Sequence, residues 1–332
     1  MKILVTGGAG YIGSHTGVEL LQAGHEIVVI DNLSNSDRSV LGRIKTITGA
    51  DFSFYEGDVQ DEELLEEIFQ THKIDGVIHF AGFKAVGESV QVPLKYYHNN
   101  ILSTLILCKT MARHQCKSIV FSSSATVYGA PARLPIDEDF PLATTNPYGS
   151  SKLMNEIILG DLFQADRDWR IVLLRYFNPV GAHQSGLIGE NPQGIPNNLM
   201  PYIVRVARGE LPYLNVFGAD YKTKDGTGVR DYIHVVDLSK GHLKALEKLT
   251  RQSGLFTYNL GTGKGTSVLE MITAFEKSTG QKVPYRITGR RPGDIDACFA
   301  NPGKAQRELG WKAEHSIEEM CRDAWRFSVG QG

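Results

Sequence analysis

Cysteine is scarce in this chain. Four occur in 332 residues (Cys108, Cys116, Cys298 and Cys321), with no CxxC pair and no metal-ligand spacing. That excludes a disulfide framework and a zinc ribbon, and it suits thiols kept reduced in a cytosol. The ten histidines include no HExxH spacing, so no metal is expected. No apolar run approaches the ~20 residues of a membrane span. Like charges never run to five in a row, and the formal net charge is −2. Neither nucleic acid nor an anionic membrane is therefore suggested as a partner. A strand begins at Lys2, leaving no room for a signal peptide, so a cytoplasmic protein is expected.

What is present describes an ordinary globular protein, 42% hydrophobic and 22% charged. The length favours two lobes sharing a cleft. The chain is organised around its first stretch, Lys2–Asp31. A β-rich run, Lys2–Thr6, turns through Gly7-Gly8-Ala9-Gly10-Tyr11-Ile12-Gly13 into a helical pattern closed by Gly24, followed by a second strand, Glu26–Ile30. Glycine permits the tight turn and lets backbone N–H groups approach a pyrophosphate at the helix N-terminus. Asp31 ends the second strand, where a carboxylate accepts both hydroxyls of an adenosine ribose. It would repel a 2′-phosphate, so NAD is expected rather than NADP. Arg38 is read as a solvated surface charge.

Further on, the pattern alternates. Phe52–Tyr55 is a short strand leading to Asp58 and Val59, on the rim where such a sheet binds its ligand. Glu62–Phe69 is helical, Asp75–Phe80 a buried strand, Tyr96–His114 a long helix and Ser118–Ser122 another strand. This βαβ repetition implies a parallel, doubly wound α/β sheet of the Rossmann type. Ile171–Tyr176 adds a strand. Residues 181–230 then turn rich in Gly, Pro and Asn, with a short helix at Asn198–Arg208. The domain boundary is placed at 178, with a smaller mixed α/β substrate lobe over 179–332. A segment near 230–250, the helix Val235–Leu249, is expected to return to the first lobe.

Tyr148 and Lys152 stand four residues apart at the start of a helix, so both emerge from one face. With Ser124 at a preceding strand end, they point to hydride transfer at an alcohol carbon. Tyr148 would be the base. A free phenol titrates near pKa 10, so half-ionising it at pH 7 takes roughly 4 kcal/mol, which a nearby Lys152 cation and the positive nicotinamide ring could supply.

Thr6–Gly13, Asp58, Ser122-Ser123-Ser124-Ala125-Thr126-Val127-Tyr128-Gly129 and Tyr148-x-x-x-Lys152 together resemble the extended short-chain dehydrogenase/reductases. Asn99-Asn100, Leu174–His183, Gly194–Ile203, Asp225–Asp237 and Tyr258–Gly261 resemble most closely the branch that inverts C4 of UDP-linked hexoses. The resemblance implies an NAD-dependent isomerase that interconverts UDP-galactose and UDP-glucose through a 4-keto sugar. It implies Ser124, Tyr148 and Lys152 as the catalytic set. The implied cofactor set is Gly7, Gly10, Tyr11, Ile12, Gly13, Asp31, Asn32, Asn35, Ser36, Asp58, Val59, Phe80, Ala81, Gly82, Lys84, Asn99, Ser122, Tyr148, Lys152 and Phe177.

The implied substrate set is Ser124, Tyr148, Asn178, Asn198, Leu199, Phe217, Arg230, Arg291, Asp294 and Cys298, with two arginines suiting a diphosphate and Phe217 a uracil. In that branch a small residue at the position of Cys298 accompanies acceptance of 2-acetamido sugars, so UDP-N-acetylgalactosamine and UDP-N-acetylglucosamine are expected as further substrates. A homodimer through the helices Tyr96–His114 and Ser150–Asp161 is also implied. A nucleotide-sugar 4,6-dehydratase is the main competing reading, but it needs an Asp-Glu pair where this chain has Ala125 and Thr126. A non-catalytic NAD-sensing protein is the other, and such proteins usually lose the Tyr-Lys pair.

Overall fold

Short runs of β-branched and aliphatic residues bounded by turns become the strands of one sheet. In the computed structural model, β1 (Lys2–Thr6), β2 (Glu26–Asp31), β3 (Ser53–Glu56), β4 (Gly76–His79), β5 (Ser118–Ser124) and β6 (Arg170–Tyr176) carry the first lobe. Helices α1 (Tyr11–Gln22), α2 (Ser39–Thr48), α3 (Glu62–Thr71), α4 (Val86–Gln91), α5 (Pro93–Arg113) and α6 (Pro147–Ala165) connect them. The structure describes residues 1–192, 194, 196, 198–291 and 294–330. Ile195 and Asn197 within Gly194–Ile203, and Pro292 and Gly293 beside Arg291, lie outside the described residues.

Beyond β6 the second lobe is built from β7 (Asn178–Val180), α7 (Leu199–Ala207), β8 (Leu214–Phe217), β9 (Val229–Arg230) and β10 (Tyr232–His234). The chain then crosses back. α8 (Val235–Arg251) packs on α1, and β11 (Gly254–Leu260) pairs with β6 as a seventh strand. A second excursion supplies β12 (Thr266–Ser267), α9 (Val268–Thr279), β13 (Tyr285–Thr288), β14 (Ala297–Cys298) and α11 (Ile317–Val329), while α10 (Gly303–Leu309) packs back on β11 and α8.

The large sheet runs β11-β6-β5-β4-β1-β2-β3, and all its pairings are parallel. Alternate residues of each strand face opposite layers, as the pleat requires. Ile3, Val5, Val29 and Val120 pack with Leu20, Leu238 and Leu246 of α1 and α8. Leu4, Val28, Ile119 and Phe121 pack with Leu65, Leu107 and Leu159 of α3, α5 and α6. Each such side chain contributes about 1.5–3 kcal/mol by leaving water. The second lobe has its own core, with Ile203, Met271 and Phe275 at its centre. Strand order reverses between β4 and β1, so connections leave the sheet in opposite directions there and open a crevice over the strands' carboxyl ends.

Candidate active site

That crevice is a cleft of about 540 Å³. Its floor is the glycine loop. Gly7 adopts φ 67°. A Cβ on Gly13 would fall 2.3 Å from the Gly7 carbonyl oxygen, so no larger residue fits where the loop meets α1. Gly10 is the N-cap of α1, and no side chain caps the helix, leaving its first-turn amides to an anion. Asp31, buried at the end of β2, accepts from Ala9 N at 3.0 Å, Leu33 N at 2.9 Å and Ser36 Oγ at 2.9 Å. It thereby braces the loop while lining the cleft. Asp58 accepts from Asn32 Nδ2 at 2.9 Å. A cradle that any Cβ would fill, an uncapped helix end and a carboxylate at the adjacent strand tip fit a dinucleotide.

Of the residues expected at the cofactor, Gly7, Gly10, Tyr11, Ile12, Gly13, Asp31, Asn32, Asn35, Ser36, Asp58, Val59, Phe80, Ala81, Gly82, Lys84, Asn99, Ser122, Tyr148 and Lys152 all line this cleft. Phe177 does not. It is buried with Ala125, Val127 and Tyr128 behind β5, and its amide donates to Leu260 O at 3.2 Å. Arg38 ion-pairs with Glu56 and lies 5.3 Å from the Phe54 ring centre, which commits it to β3.

Asn146 caps α6 by accepting from Gly149 N at 2.8 Å, and Pro147 occupies the first turn. This fixes Tyr148 and Lys152 at the cleft wall. Ser124 ends β5 and caps the short turn Ala125–Tyr128, its Oγ accepting from Thr126 N at 3.2 Å and Thr126 Oγ1 at 3.0 Å. Lys152 is 5% exposed, and its Nζ donates to Ser122 O at 2.7 Å. Burial pulls its ammonium down to about 8, with Glu156 opposing. Burial pushes the Tyr148 phenol above its ordinary value, with the Ser124 hydroxyl opposing. A phenol lowered by Lys152 is therefore not what the protein alone provides. The cation is aimed at a β5 carbonyl, and burial is the dominant influence on the phenol.

The substrate-side residues form a second group. Arg230 ion-pairs with Asp294, and Arg291 Nη2 approaches the same carboxylate at 3.3 Å. The Arg291 guanidinium lies 4.9 Å from the Phe217 ring centre. β14 runs beside β9 with Cys298 opposite Arg230, and burial pushes the Cys298 thiol up to about 11. Asn178 Nδ2 donates to Asp231 O at 3.1 Å, and Leu199 opens α7. Tyr148 and Asn198 share the cofactor cleft's wall, whereas Ser124, Asn178, Leu199, Phe217, Arg230, Arg291, Asp294 and Cys298 lie off it.

Two acids had no sequence signal. Glu156, one turn beyond Lys152, grips Arg175 of β6 beneath the site. Glu190 reaches Lys84 and Asn198. Only the i+4 spacing from Lys152 could have drawn attention to Glu156. Glu190 lies in a loop rich in glycine and proline, where a carboxylate attracts no notice. Among the described residues no cluster of His, Cys, Asp and Glu could hold a metal, and no helix is long and apolar enough to cross a membrane.

The GDP-mannose 4,6 dehydratase family model matches residues 4–324. The UDP-glucose 4-epimerase of Bacillus subtilis is 65% identical over 327 residues, spanning 98% of this chain and 96% of that protein. The crystal structure of the Bifidobacterium longum UDP-glucose 4-epimerase, in complex with NAD+ and UDP, superposes with a TM-score of 0.97 at 56% identity, covering 99% of this chain and 98% of that one. The Stenotrophomonas maltophila enzyme, with bound NAD and formylated UDP-arabinopyranose, gives 0.98 at 52% identity over 100% and 98%. With this site, this sheet order and relatives of such identity along almost its whole length, the chain belongs to the UDP-glucose 4-epimerases of the extended short-chain dehydrogenase/reductase family.

Proposed function

We propose that Tyr148, Lys152 and Ser124 carry the proton chemistry by which this isomerase interconverts UDP-galactose and UDP-glucose. The observation that supports it is that Tyr148 and Lys152, on one face of α6, line the same cleft as the glycine loop and Asp31. Bound NAD⁺ supplies the hydride acceptor for C4 and later its donor, so the cycle has no net oxidation, and its positive ring adds to the field of Lys152. Tyr148 takes the C4 hydroxyl proton as the carbon is oxidised and returns it on reduction from the other face. Ser124 holds that hydroxyl. Lys152, buried and cationic below its lowered pKa, offsets the charge of the phenolate.

Inversion requires a hexose that can turn while its anchor stays fixed. Arg230 and Arg291 are suited to the diphosphate and Phe217 to the uracil. Ala125 and Thr126 follow Ser124, and neither transfers protons at neutral pH, which disfavours water loss across C5–C6 despite the name of the matching family model. A coupled assay on UDP-galactose tests the reading: UDP-glucose should form without added reductant. A product lacking the C6 hydroxyl would replace epimerisation by dehydration.

The same reading includes a cytoplasmic homodimer. Leu105 of α5 and Ile157 of α6 are exposed, as are Val90 and Leu94 nearby. Ile106 and Leu162 instead pack into the monomer's own core. An apolar stripe left outside one chain, on two helices that pack on each other, suits a second copy. The small side chain at Cys298 is read as admitting 2-acetamido hexoses as well.

A further inference from the structure

One carboxylate oxygen serves both lobes. Glu190 Oε1 accepts from Lys84 Nζ at 3.0 Å and from Asn198 Nδ2 at 2.7 Å. Lys84 follows β4 in the first lobe, and Asn198 is the N-cap residue of α7 in the second, where its side chain makes no cap bond. The Glu190 side chain is 9% exposed against 46% for Lys84, so the acid is the more buried member. The chain just before it is tied down. Gly189 bridges to Ala182, Arg43 of α2 donates to Leu187 O at 3.1 Å, and Ile188 packs with Val18 and Ile44.

An ammonium has three donors, and an asparagine amide presents either donors or an acceptor. Accepting one hydrogen from each settles both orientations. Among the described residues, two N–H bonds of Lys84 and one of Asn198 are left for anions. We propose that Glu190 is a positioning residue that couples the two sites, orienting Lys84 for the cofactor and Asn198 for the substrate diphosphate. This rests on the reading that Lys84 faces the dinucleotide and Asn198 the UDP-sugar. Because the acceptor is shared, a ligand that orders one donor orders Glu190 and lowers the cost of ordering the other. The coupling is reciprocal between the two ligands.

The test uses the NAD-loaded full chain. Cofactor loss is followed over charcoal with and without UDP, and UDP affinity is measured by calorimetry. Glu190→Ala should speed NAD loss and weaken UDP each by about 5- to 10-fold, within the range typical of one intramolecular hydrogen bond. UDP should slow NAD loss in the wild type, and this protection should shrink toward none in the variant. Glu190→Leu, which keeps much of the volume without an acceptor, should show the same loss of coupling should the alanine variant fold poorly. In a Lys84→Met background the effect of Glu190→Ala on NAD loss should vanish, as should its effect on UDP in Asn198→Ala. Full additivity in those backgrounds, or wild-type protection by UDP in both Glu190 variants, overturns the proposal. If Lys84→Met leaves NAD loss unchanged and Asn198→Ala leaves UDP affinity unchanged, the underlying assignment of those two residues fails, and the proposal with it.

Discussion

Glu156 of α6 holds Arg175 of β6 through both carboxylate oxygens, at 2.9 Å to Nε and 2.6 Å to Nη2, with neither side chain more than 6% exposed. Ser123 Oγ donates to the same carboxylate, and Arg175 Nη1 continues to Tyr128 OH at 3.0 Å and Glu138 O at 3.1 Å. The pair pins the helix that carries Tyr148 and Lys152 to the strand beside Ser124. Removing one partner leaves an uncompensated buried charge, which costs about 3–5 kcal/mol. Arg175→Met should lower the urea midpoint accordingly. A variant as stable as the wild type would show that the pair does not brace the site.

Tyr148→Phe removes the acidic proton and little else. Turnover should fall by about 10²–10⁴-fold, the usual worth of a general base. NAD should still copurify, since the glycine loop and Asp31 are untouched. Near wild-type turnover would take Tyr148 out of the base role. A fully active preparation free of NAD, with none added, would remove the redox mechanism.

These two predictions differ in how far the sequence alone reaches them. Tyr148 and Lys152 are four apart on one helix, and the glycine loop is contiguous, so a local rule finds each. Glu156 meets Arg175 across 19 positions, Arg230 meets Asp294 across 64, and Glu190 meets Lys84 across 106. Such pairs depend on how the sheet and second lobe bring distant segments together, and no spacing announces them. β11 escapes a sequence reading for a different reason. Leu255, Phe256 and Thr257 are all half-buried on an edge strand, so the segment shows neither a continuous apolar run nor clean alternation. The burial that raises the Tyr148 phenol is likewise invisible in a sequence, which shows spacing and charge but not desolvation.

Lys152 sets stability against function. Its folded pKa is about 8 against an ordinary 10.5. Below about 8 the ammonium is charged in both states and the burial penalty is fully present. Between 8 and 10.5 the folded chain sheds a proton that the unfolded chain keeps, so this group's contribution to stability rises with pH. Turnover, which needs the cation, should fall over the same range. Lys152→Met should abolish most activity yet stabilise the fold at pH 7 by about 1–3 kcal/mol, after allowing for the lost bond to Ser122. Urea melts at pH 7 and pH 10, with cofactor content matched, check both signs. A destabilised variant at pH 7 would contradict the argument.

Ile157 is 54% exposed on α6, and Leu94 is 80% exposed at the start of α5. Light scattering at micromolar concentration should give twice the 36.6 kDa of one chain. Ile157→Arg, which places a charge in the proposed contact, should return the mass to that of one chain without loss of helix content. A wild type that is already monomeric would leave this stripe without the partner assigned to it.

Cys298 bears on which hexoses are accepted. It stands opposite Arg230 in the β14–β9 pair, and its own carbonyl accepts from the amide of Arg230's neighbour, Asp231 N, at 3.0 Å. Its side chain packs at the edge of a cluster with Phe177 and Leu153, and it is half-buried. A thiol is far smaller than a phenol, and on the proposed reading the small side chain should leave room for an N-acetyl group in both poses of the turning sugar. Cys298→Tyr should fill that room. Overpacking of this kind costs about 1–3 kcal/mol, or about 5- to 150-fold in kcat/KM for UDP-N-acetylglucosamine. UDP-galactose, with only a hydroxyl at C2, should be spared. The comparison needs both sugars on both proteins. A wild type that converts UDP-galactose but not UDP-N-acetylgalactosamine would show that other side chains close the pocket, and that Cys298 is no more than a small apolar residue at its margin.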